Sequence, residues 1–231
     1  METKVLNNSS FKSFIISIIR NNLGDRPVVI GITGNIASGK TTLASEIETI
    51  CKTCFPKLTI SNISTDNFLY TNMQLKARNL YNKKGFPESY NYNIIREFIH
   101  ALLTKKKFEL PLYSHKINDI NLKKSVIINK PDIVILEGLL ILQPEFYQIL
   151  NESIFIDVDE TSNYKWFMQR CLKLNLSQLY NISDDKFIEI VKDNWTNINL
   201  KNYHDNVLPL KVKATVKVKL DFNHSIKSIC F

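Results

Sequence analysis

The sequence has few of the residues that mark fibrous, disordered or disulfide-stabilised proteins. Its 231 residues include only 6 glycines and 4 cysteines, and they contain neither a Gly/Ser-rich linker nor an internal repeat. A fibrous repeat is therefore excluded, and a chain of this length can bury a core without a disulfide or a metal. Hydrophobic residues make up 44% and charged residues 23%, which is ordinary globular usage and excludes extensive disorder.

Long apolar runs are also missing. The N-terminal region carries one apolar stripe of helical spacing, at Phe11, Phe14, Ile15, Ile18 and Ile19. This stripe is far shorter than the ~20 residues of a membrane span, and no small-residue cleavage site of a secretory signal follows it. We therefore expect a cytoplasmic protein with no membrane partner, in which residues 1–24 form a helix docked on the rest of the chain.

Long basic runs are missing as well, although the chain is basic. It has 30 Lys+Arg against 22 Asp+Glu, a net charge of +8. The longest uninterrupted basic run is Lys105–Lys107, and aromatic residues do not alternate with basic ones as in an RNA-binding sheet. We expect no nucleic-acid partner, and the charge suits a small phosphorylated ligand.

The cysteines do not form a recognisable metal site. Cys51 and Cys54 form one C-x-x-C pair, which is typical of a redox motif or of half a zinc site. Cys171 and Cys230 stand alone, and the pair lies at the end of a helical pattern, whereas a redox pair opens one. We interpret both residues of the pair as structural.

Buried strands alternate with helical patterns along most of the chain. Four short apolar runs of strand formers occupy residues 27–33, 58–64, 132–136 and 154–158. Helical patterns separate or follow them, notably at 93–103, 160–175 and 184–200. This order predicts an α/β fold with a mostly parallel central sheet and helices on both faces. Alternation of apolar residues and lysines over 212–220, before a turn at Asn223–His224, predicts a C-terminal edge strand or hairpin.

The first strand leads into a complete phosphate-binding motif. Gly34-x-x-x-x-Gly39-Lys40-Thr41 stands between a predicted strand and a predicted helix, as a P-loop does. The glycines let the backbone surround a phosphate, Lys40 reaches the β- and γ-phosphates, and the Thr41 hydroxyl suits Mg²⁺. We predict a nucleoside triphosphate site formed by Gly34, Asn35, Ile36, Ala37, Ser38, Gly39, Lys40, Thr41 and Thr42.

Two further strands end in acidic residues. Asp66 follows the second strand and Glu137 follows the third. A kinase needs a carboxylate that accepts the proton of the acceptor hydroxyl, and Asp66 is the candidate. Glu137 is the candidate carboxylate for Mg²⁺, although acids at strand ends also serve as helix caps. The N-K-x-D run of a GTPase is absent.

Several longer blocks resemble the bacterial type I pantothenate kinases. They include Thr65–Leu69, the KKGFPESY run at 83–90, Leu110–His115, and the pair Trp166 and Arg170, followed by a run over 198–209. The blocks are collinear over about residues 27–226. The resemblance implies a P-loop kinase fold in one domain, with residues 25–231 as its core. It also implies ATP-dependent phosphorylation of pantothenate, the first step of coenzyme A synthesis.

The resemblance also implies roles for individual residues. Asp66 would be the general base, and Lys40 and Arg170 would stabilise the transferred phosphoryl group. Tyr113, His115 and Asn199 would bind pantothenate. Taken alone, His115 would fit a structural histidine, Arg170 a surface residue and Asn199 a helix cap. Feedback inhibition by coenzyme A and a homodimer are further properties that the resemblance implies.

The chain departs from the family pattern at several positions. Phe167 replaces a tyrosine of the family, and the segments 142–154 and 171–195 and the N-terminal extension are shorter. These departures fall where lids and dimer contacts would lie and leave the phosphoryl-transfer residues intact. Two alternatives remain: a P-loop kinase of another small alcohol such as uridine, and a non-catalytic regulator that binds nucleotide or coenzyme A.

Overall fold

A computed structural model of the protein describes residues 3–4, 8–174 and 176–231. It confirms the predicted α/β class. The strands are β1 (Thr3–Lys4), β2 (Val28–Gly34), β3 (Ile60–Ser64), β4 (Phe108–Ser114), β5 (Asp119–Ile128), β6 (Ile133–Glu137), β7 (Glu152–Asp157), β8 (Val216–Leu220) and β9 (Ile226–Cys230).

The helices follow the predicted alternation with the strands. They are α1 (Asn8–Asn22), α2 (Lys40–Cys54), α3 (Asn72–Ala77), α4 (Tyr92–Leu103), α5 (Pro144–Tyr147), α6 (Glu160–Lys173), α7 (Leu176–Tyr180) and α8 (Asp184–Asn194). Short 3-10 helices lie at Thr65–Phe68, Tyr81–Lys83, Pro87–Ser89 and Leu208–Lys213, and π-helical turns lie at Trp195–Leu200 and Tyr203–Val207. None of the helices in the described part of the chain is long and apolar enough to cross a membrane.

Seven strands form the central sheet in the order β1-β9-β8-β7-β2-β6-β3. The pairings of β3, β6, β2, β7 and β8 are parallel, and β9 and β1 add antiparallel pairings at one side. Strands β4 and β5 form a separate antiparallel ribbon. The phosphate-binding strand β2 therefore lies inside the sheet, between β6 and β7.

The two faces of the sheet are covered by different helices, as predicted. Ile30 and Ile32 of β2 pack in one buried cluster with residues of α1 and α2. Val29 points to the other face, where Val134 and Leu136 of β6 pack with α4. All seven residues of β2 are buried, because helices lie on both sides of the strand.

The N-terminal stripe and the C-x-x-C pair occupy structural positions. Phe11, Ile15 and Ile19 of α1 are buried against the sheet. Residues 1–2 and 5–7 of the predicted N-terminal segment lie outside the described residues, and its division from a core at 25–231 stays a prediction. Cys51 and Cys54 are free on the last turn of α2, and burial raises the pKa of the Cys51 thiol to about 12. The described residues contain no His/Cys/Asp/Glu cluster that could hold a metal ion by itself.

The C-terminal hairpin exists, but its first strand is shorter than predicted and is not at the edge. Leu208–Lys213 form a 3-10 helix instead of a strand, and Val212 is 82% exposed. Pro209 stands in the first turn of this helix, where its fixed φ favours helical geometry. Strand β8 lies between β7 and β9, and β1 covers the free side of β9.

The β4–β5 ribbon is absent from the sequence prediction. Its second strand contains the exposed run Leu122–Ser125, and its pairing with β4 shifts register between Pro111 and Leu112. The irregularity interrupts period-two alternation, which is the sequence signal for a strand.

Gly138 allows the ends of β3 and β6 to lie close together, and this contact generates a prediction about stability. Gly138 has φ +150°, and a Cβ at this position would lie 1.7 Å from the Thr65 hydroxyl. We expect Gly138→Ala to lower the free energy of unfolding by about 2–4 kcal/mol, through overpacking and backbone strain. Denaturant unfolding would measure it. Gly24→Ala is the control, because a Cβ there meets nothing within 4 Å. Equal stability of the two variants would contradict the prediction.

Candidate active site

A cavity of about 1110 Å³ lies where the P-loop and the ends of β3 and β6 meet. It is lined by every residue predicted to be catalytic or to bind substrate, and by most of the P-loop: Ile36, Ala37, Gly39, Lys40, Thr41, Thr42, Asp66, Tyr113, His115, Glu137, Arg170 and Asn199. Gly34, Asn35 and Ser38 belong to the loop but do not line the cavity.

The P-loop has the backbone that its sequence predicts. Gly39 has φ +91° and immediately precedes α2, whose N-terminus points its N–H groups toward the cavity side of the loop. A Cβ on Gly34 would lie 2.6 Å from the Ile156 carbonyl oxygen, so the close contact with β7 requires glycine. The Asn163 side chain of α6 donates a hydrogen bond of 2.8 Å to the Ile36 carbonyl, which ties α6 to the loop.

Lys40 is a buried cation held inside the loop. Its ammonium donates hydrogen bonds to the carbonyls of Asn35 at 2.7 Å and Gly34 at 3.4 Å. Burial lowers the pKa of Lys40 to about 8, and the negative charges of Glu137 and Asp66 partly oppose this shift. An anionic ligand at the loop would stabilise the charged form.

Glu137 and Thr41 form the candidate metal position. Glu137 ends β6 and is buried, and the Thr41 hydroxyl donates to its Oε1 at 3.4 Å. Burial raises the pKa of Glu137, with Lys40 as the largest opposing influence. Carboxylate and hydroxyl oxygens are the hard ligands that Mg²⁺ prefers, and Mg²⁺ takes its remaining ligands from water and phosphates. The two residues therefore fit Mg²⁺ without a third acidic side chain.

Asp66 is placed as a free carboxylate near this centre. It lies in the 3-10 helix directly after β3, and its backbone N–H donates to the Ser64 hydroxyl at 3.4 Å. Its carboxylate has no hydrogen-bond or ion-pair partner among the described residues. The alternative interpretation of Asp66 as a helix cap is wrong, because Ser64 is the residue that caps this 3-10 helix. An unpaired carboxylate beside the P-loop can accept a proton.

Arg170 approaches the site from α6 and contacts His115. One guanidinium nitrogen lies 2.9 Å from Nε2 and 3.1 Å from Nδ1 of the His115 ring. Burial, and next the Arg170 charge, lower the pKa of His115, so the imidazole is neutral at physiological pH. The Tyr113 ring lies edge-on to His115, with centroids 5.1 Å apart.

Phe167 belongs to an apolar wall of the cavity. It is buried with three residues of α8 and the adjoining π-helical turn, and its ring lies 5.1 Å from that of Trp195. Phe187 and Val191 complete this cluster.

Asn199 lies in a π-helical turn rather than at a helix end. It stands inside Trp195–Leu200, and its side chain donates to the Asn194 carbonyl at 3.1 Å. The cap interpretation is therefore wrong, and the side chain lines the cavity. Isolated π-turns within helices often mark functional sites.

The sequence reasoning assigned no role to Lys84, which the structure places in the cavity wall. Its ammonium donates to the Asn118 carbonyl at 2.5 Å and to Asn72 Oδ1 at 2.9 Å, and it lies 4.9 Å from the centre of the Tyr113 ring. Burial lowers the pKa of Lys84 to about 8, although Asp119 and Asp66 oppose this. Among the described residues, no carboxylate forms an ion pair with Lys84. The sequence signal that could have identified Lys84 is its position within the KKGFPESY block.

His224 also lines the cavity, although no role was assigned to it. It lies in the turn of the β8–β9 hairpin, with φ +65°. Its ring stacks on Trp166 of α6 at 3.7 Å between centroids. Only the folded hairpin brings this histidine to the cavity, so local sequence gave no signal.

Comparisons with known proteins identify the family of the chain. The model of the phosphoribulokinase/uridine kinase family matches residues 29–219. Pantothenate kinase of Lactococcus lactis subsp. lactis is 35% identical over 219 residues, covering 88% of this chain and 72% of that protein. Pantothenate kinase of Streptococcus mutans is 31% identical, with 96% and 77% covered.

A solved structure supports the fold alone. D-glycerate 3-kinase from Cryptococcus neoformans superposes with a TM-score of 0.69 at 13% identity, covering 96% of this chain and 98% of that one. The sequence matches carry the assignment further, because they extend over most of both chains. The chain belongs to the phosphoribulokinase/uridine kinase family of P-loop enzymes and, within it, to the pantothenate kinases.

Proposed function

We propose that the protein transfers the γ-phosphoryl group of ATP to the primary hydroxyl of pantothenate. The observation that carries this proposal is the composition of one cavity. It joins a P-loop, an unpaired carboxylate at Asp66 and a half-buried cation, Lys84, that has no acidic partner among the described residues. The first two features suit a kinase of an alcohol, and the third suits an acceptor that carries a carboxylate.

The transfer end of the cavity is formed by the strand ends. Lys40 and Arg170 stabilise negative charge on the transferred phosphoryl group, and Asp66 accepts the proton of the attacking hydroxyl. Thr41 and Glu137 would hold Mg²⁺, which neutralises phosphate charge when bound. Nucleotide binding would also stabilise the positive charge of Lys40, because phosphate oxygens would take the place of the carbonyls that the ammonium now contacts.

The acceptor end is formed by Lys84 with Tyr113, His115 and Asn199. Pantothenate carries a carboxylate at the end opposite to its phosphorylated hydroxyl, whereas uridine is neutral. A half-buried lysine without an acidic partner among the described residues therefore favours pantothenate over a nucleoside. We further propose that coenzyme A inhibits by occupying this cavity and that the active protein is a homodimer. Both follow from family membership rather than from a contact in the structure.

The role of Asp66 generates a first kinetic prediction. Asp66→Asn preserves size but cannot accept the proton, so kcat should fall by about 10²–10⁴-fold while the Kd for ATP stays within about twofold. A coupled assay of ADP formation and a nucleotide-binding titration would measure the two quantities. Asp205→Asn is the control, because Asp205 is exposed and pairs only with Lys201. Turnover of Asp66→Asn equal to that of the wild type would contradict the proposed base.

Lys84 generates a prediction about the acceptor. Lys84→Met removes the positive charge and keeps a side chain of similar size. KM for pantothenate should therefore rise by about 10–100-fold, the usual contribution of a hydrogen bond to a charged group. KM for ATP should stay within about twofold. Lys83→Met is the matched control, since Lys83 is exposed and pairs with Glu88. Equal KM values for pantothenate in both variants would refute this role. Wild-type preference for uridine would refute the proposed substrate.

The lowered pKa of Lys84 predicts the pH dependence. Its pKa of about 8 means that the ammonium loses its proton as the pH rises above that value. At saturating ATP the phosphates keep Lys40 charged, so kcat/KM for pantothenate should fall above about pH 8 because Lys84 becomes neutral. Lys84→Arg keeps its charge and should shift the fall to higher pH. Identical alkaline limbs in the two enzymes would contradict this assignment.

A further inference from the structure

The acceptor end of the cavity contains a hydrogen-bonded group that the predicted mechanism does not use. Asn118 stands in the turn between β4 and β5 with φ +48°. Its Oδ1 accepts a hydrogen bond of 2.5 Å from the Tyr113 hydroxyl, and its backbone carbonyl accepts from Lys84 at 2.5 Å. One turn residue therefore fixes the positions of two side chains that line the cavity.

Asn118 is in turn held by Tyr180 of α7. Its Nδ2 donates a hydrogen bond of 2.7 Å to the Tyr180 hydroxyl. Burial, and next the nearby Tyr180 hydroxyl, raise the pKa of Tyr81. The Tyr180 bridge, meaning the hydrogen bond between Tyr180 and Asn118, thus joins α7 to the β4–β5 turn, and Tyr81 of the 3-10 helix Tyr81–Lys83 lies nearby. All three residues line the cavity.

The other end of α7 is anchored separately. The buried Ser177 hydroxyl donates to Asp184 Oδ1 at 2.7 Å, at the start of α8. Helix α7 has five residues and is too short to be stable by itself. Its last turn is therefore ordered by contacts across the cavity, and the Tyr180 hydroxyl supplies the polar ones.

We propose that Tyr180 is a positioning residue for the acceptor substrate: it closes α7 over the cavity and, through Asn118, orients Tyr113 and Lys84. The inference rests on the proposed function. Tyr180 touches neither the phosphate-binding loop nor Asp66 in the described contacts. Its effect is therefore confined to the acceptor.

The test is the Tyr180→Phe variant, which keeps the ring and removes only the hydroxyl. KM for pantothenate should rise by about three- to tenfold, as expected for one lost hydrogen bond, with KM for ATP and kcat within about twofold. Tyr147→Phe is the matched control, because Tyr147 is equally exposed at 41% and does not line the cavity. Equal rises in both KM values, or no rise, would overturn the proposal.

A double-mutant cycle tests whether Tyr180 acts through Asn118. Asn118→Ala should raise KM for pantothenate more than Tyr180→Phe does, since it also releases Tyr113. Adding Tyr180→Phe to Asn118→Ala should raise KM by less than about twofold. Fully additive effects would show that Tyr180 acts independently and would overturn the proposed route.

Hydrogen exchange provides a readout that needs no turnover. Amides of residues 176–182 should exchange faster in Tyr180→Phe than in the wild type or in Tyr147→Phe. Unchanged exchange would overturn the bridge even if pantothenate is a substrate. Conversely, a wild-type protein that did not phosphorylate pantothenate would overturn the proposed function, and the exchange result would still decide whether Tyr180 orders α7.

Discussion

The site depends on the register of three parallel strands. Glu137 of β6 is paired with Ile32 of β2 on one side and with Ser64 of β3 on the other. The P-loop that follows β2 and the carboxylate of Asp66 that follows β3 are therefore brought to the same edge as Glu137. A shift by one residue would turn Glu137 to the other face of the sheet, away from Thr41. Alternate side chains of β2 are buried against helices on opposite faces of the sheet, and this burial fixes the register. Core packing therefore also determines the geometry of the site.

The same burial gives the transfer end its electrostatic character. Burial lowers the pKa of Lys40 and raises the pKa of Glu137, because it desolvates both charged groups. In each case the opposite charge of the other residue is the largest influence that opposes the shift. Because they have opposite charges, they attract opposite parts of one ligand. Phosphates stabilise Lys40, and a divalent cation stabilises Glu137. On the proposed function, a nucleotide bound with its metal ion would compensate both desolvation costs together, which neither component could do alone.

Sequence reasoning succeeded where the signal is local. Apolar runs such as 27–33 and 132–136 predict buried strands, and the P-loop is recognisable because its glycines and Lys40 are contiguous. It failed where non-local contacts decide the structure. The β4–β5 ribbon has a register shift, and Lys84 gains its importance from Asn118 and Tyr113, which are distant in sequence. The His224 ring reaches the cavity only after the β8–β9 hairpin has formed.

This difference separates the two ends of the cavity. The transfer end is formed by residues that directly follow central strands, and it tolerates little change because strand register positions them. The proposed acceptor end combines Tyr113 and His115 of the β4–β5 ribbon and its turn with Lys84, Asn199 and α7, and hydrogen bonds from Lys84 and Tyr180 to Asn118 connect the turn to its neighbours. On the proposed function, selectivity for the acceptor would depend on the conformation of the β4–β5 turn, whereas phosphoryl transfer would depend on the register of the sheet.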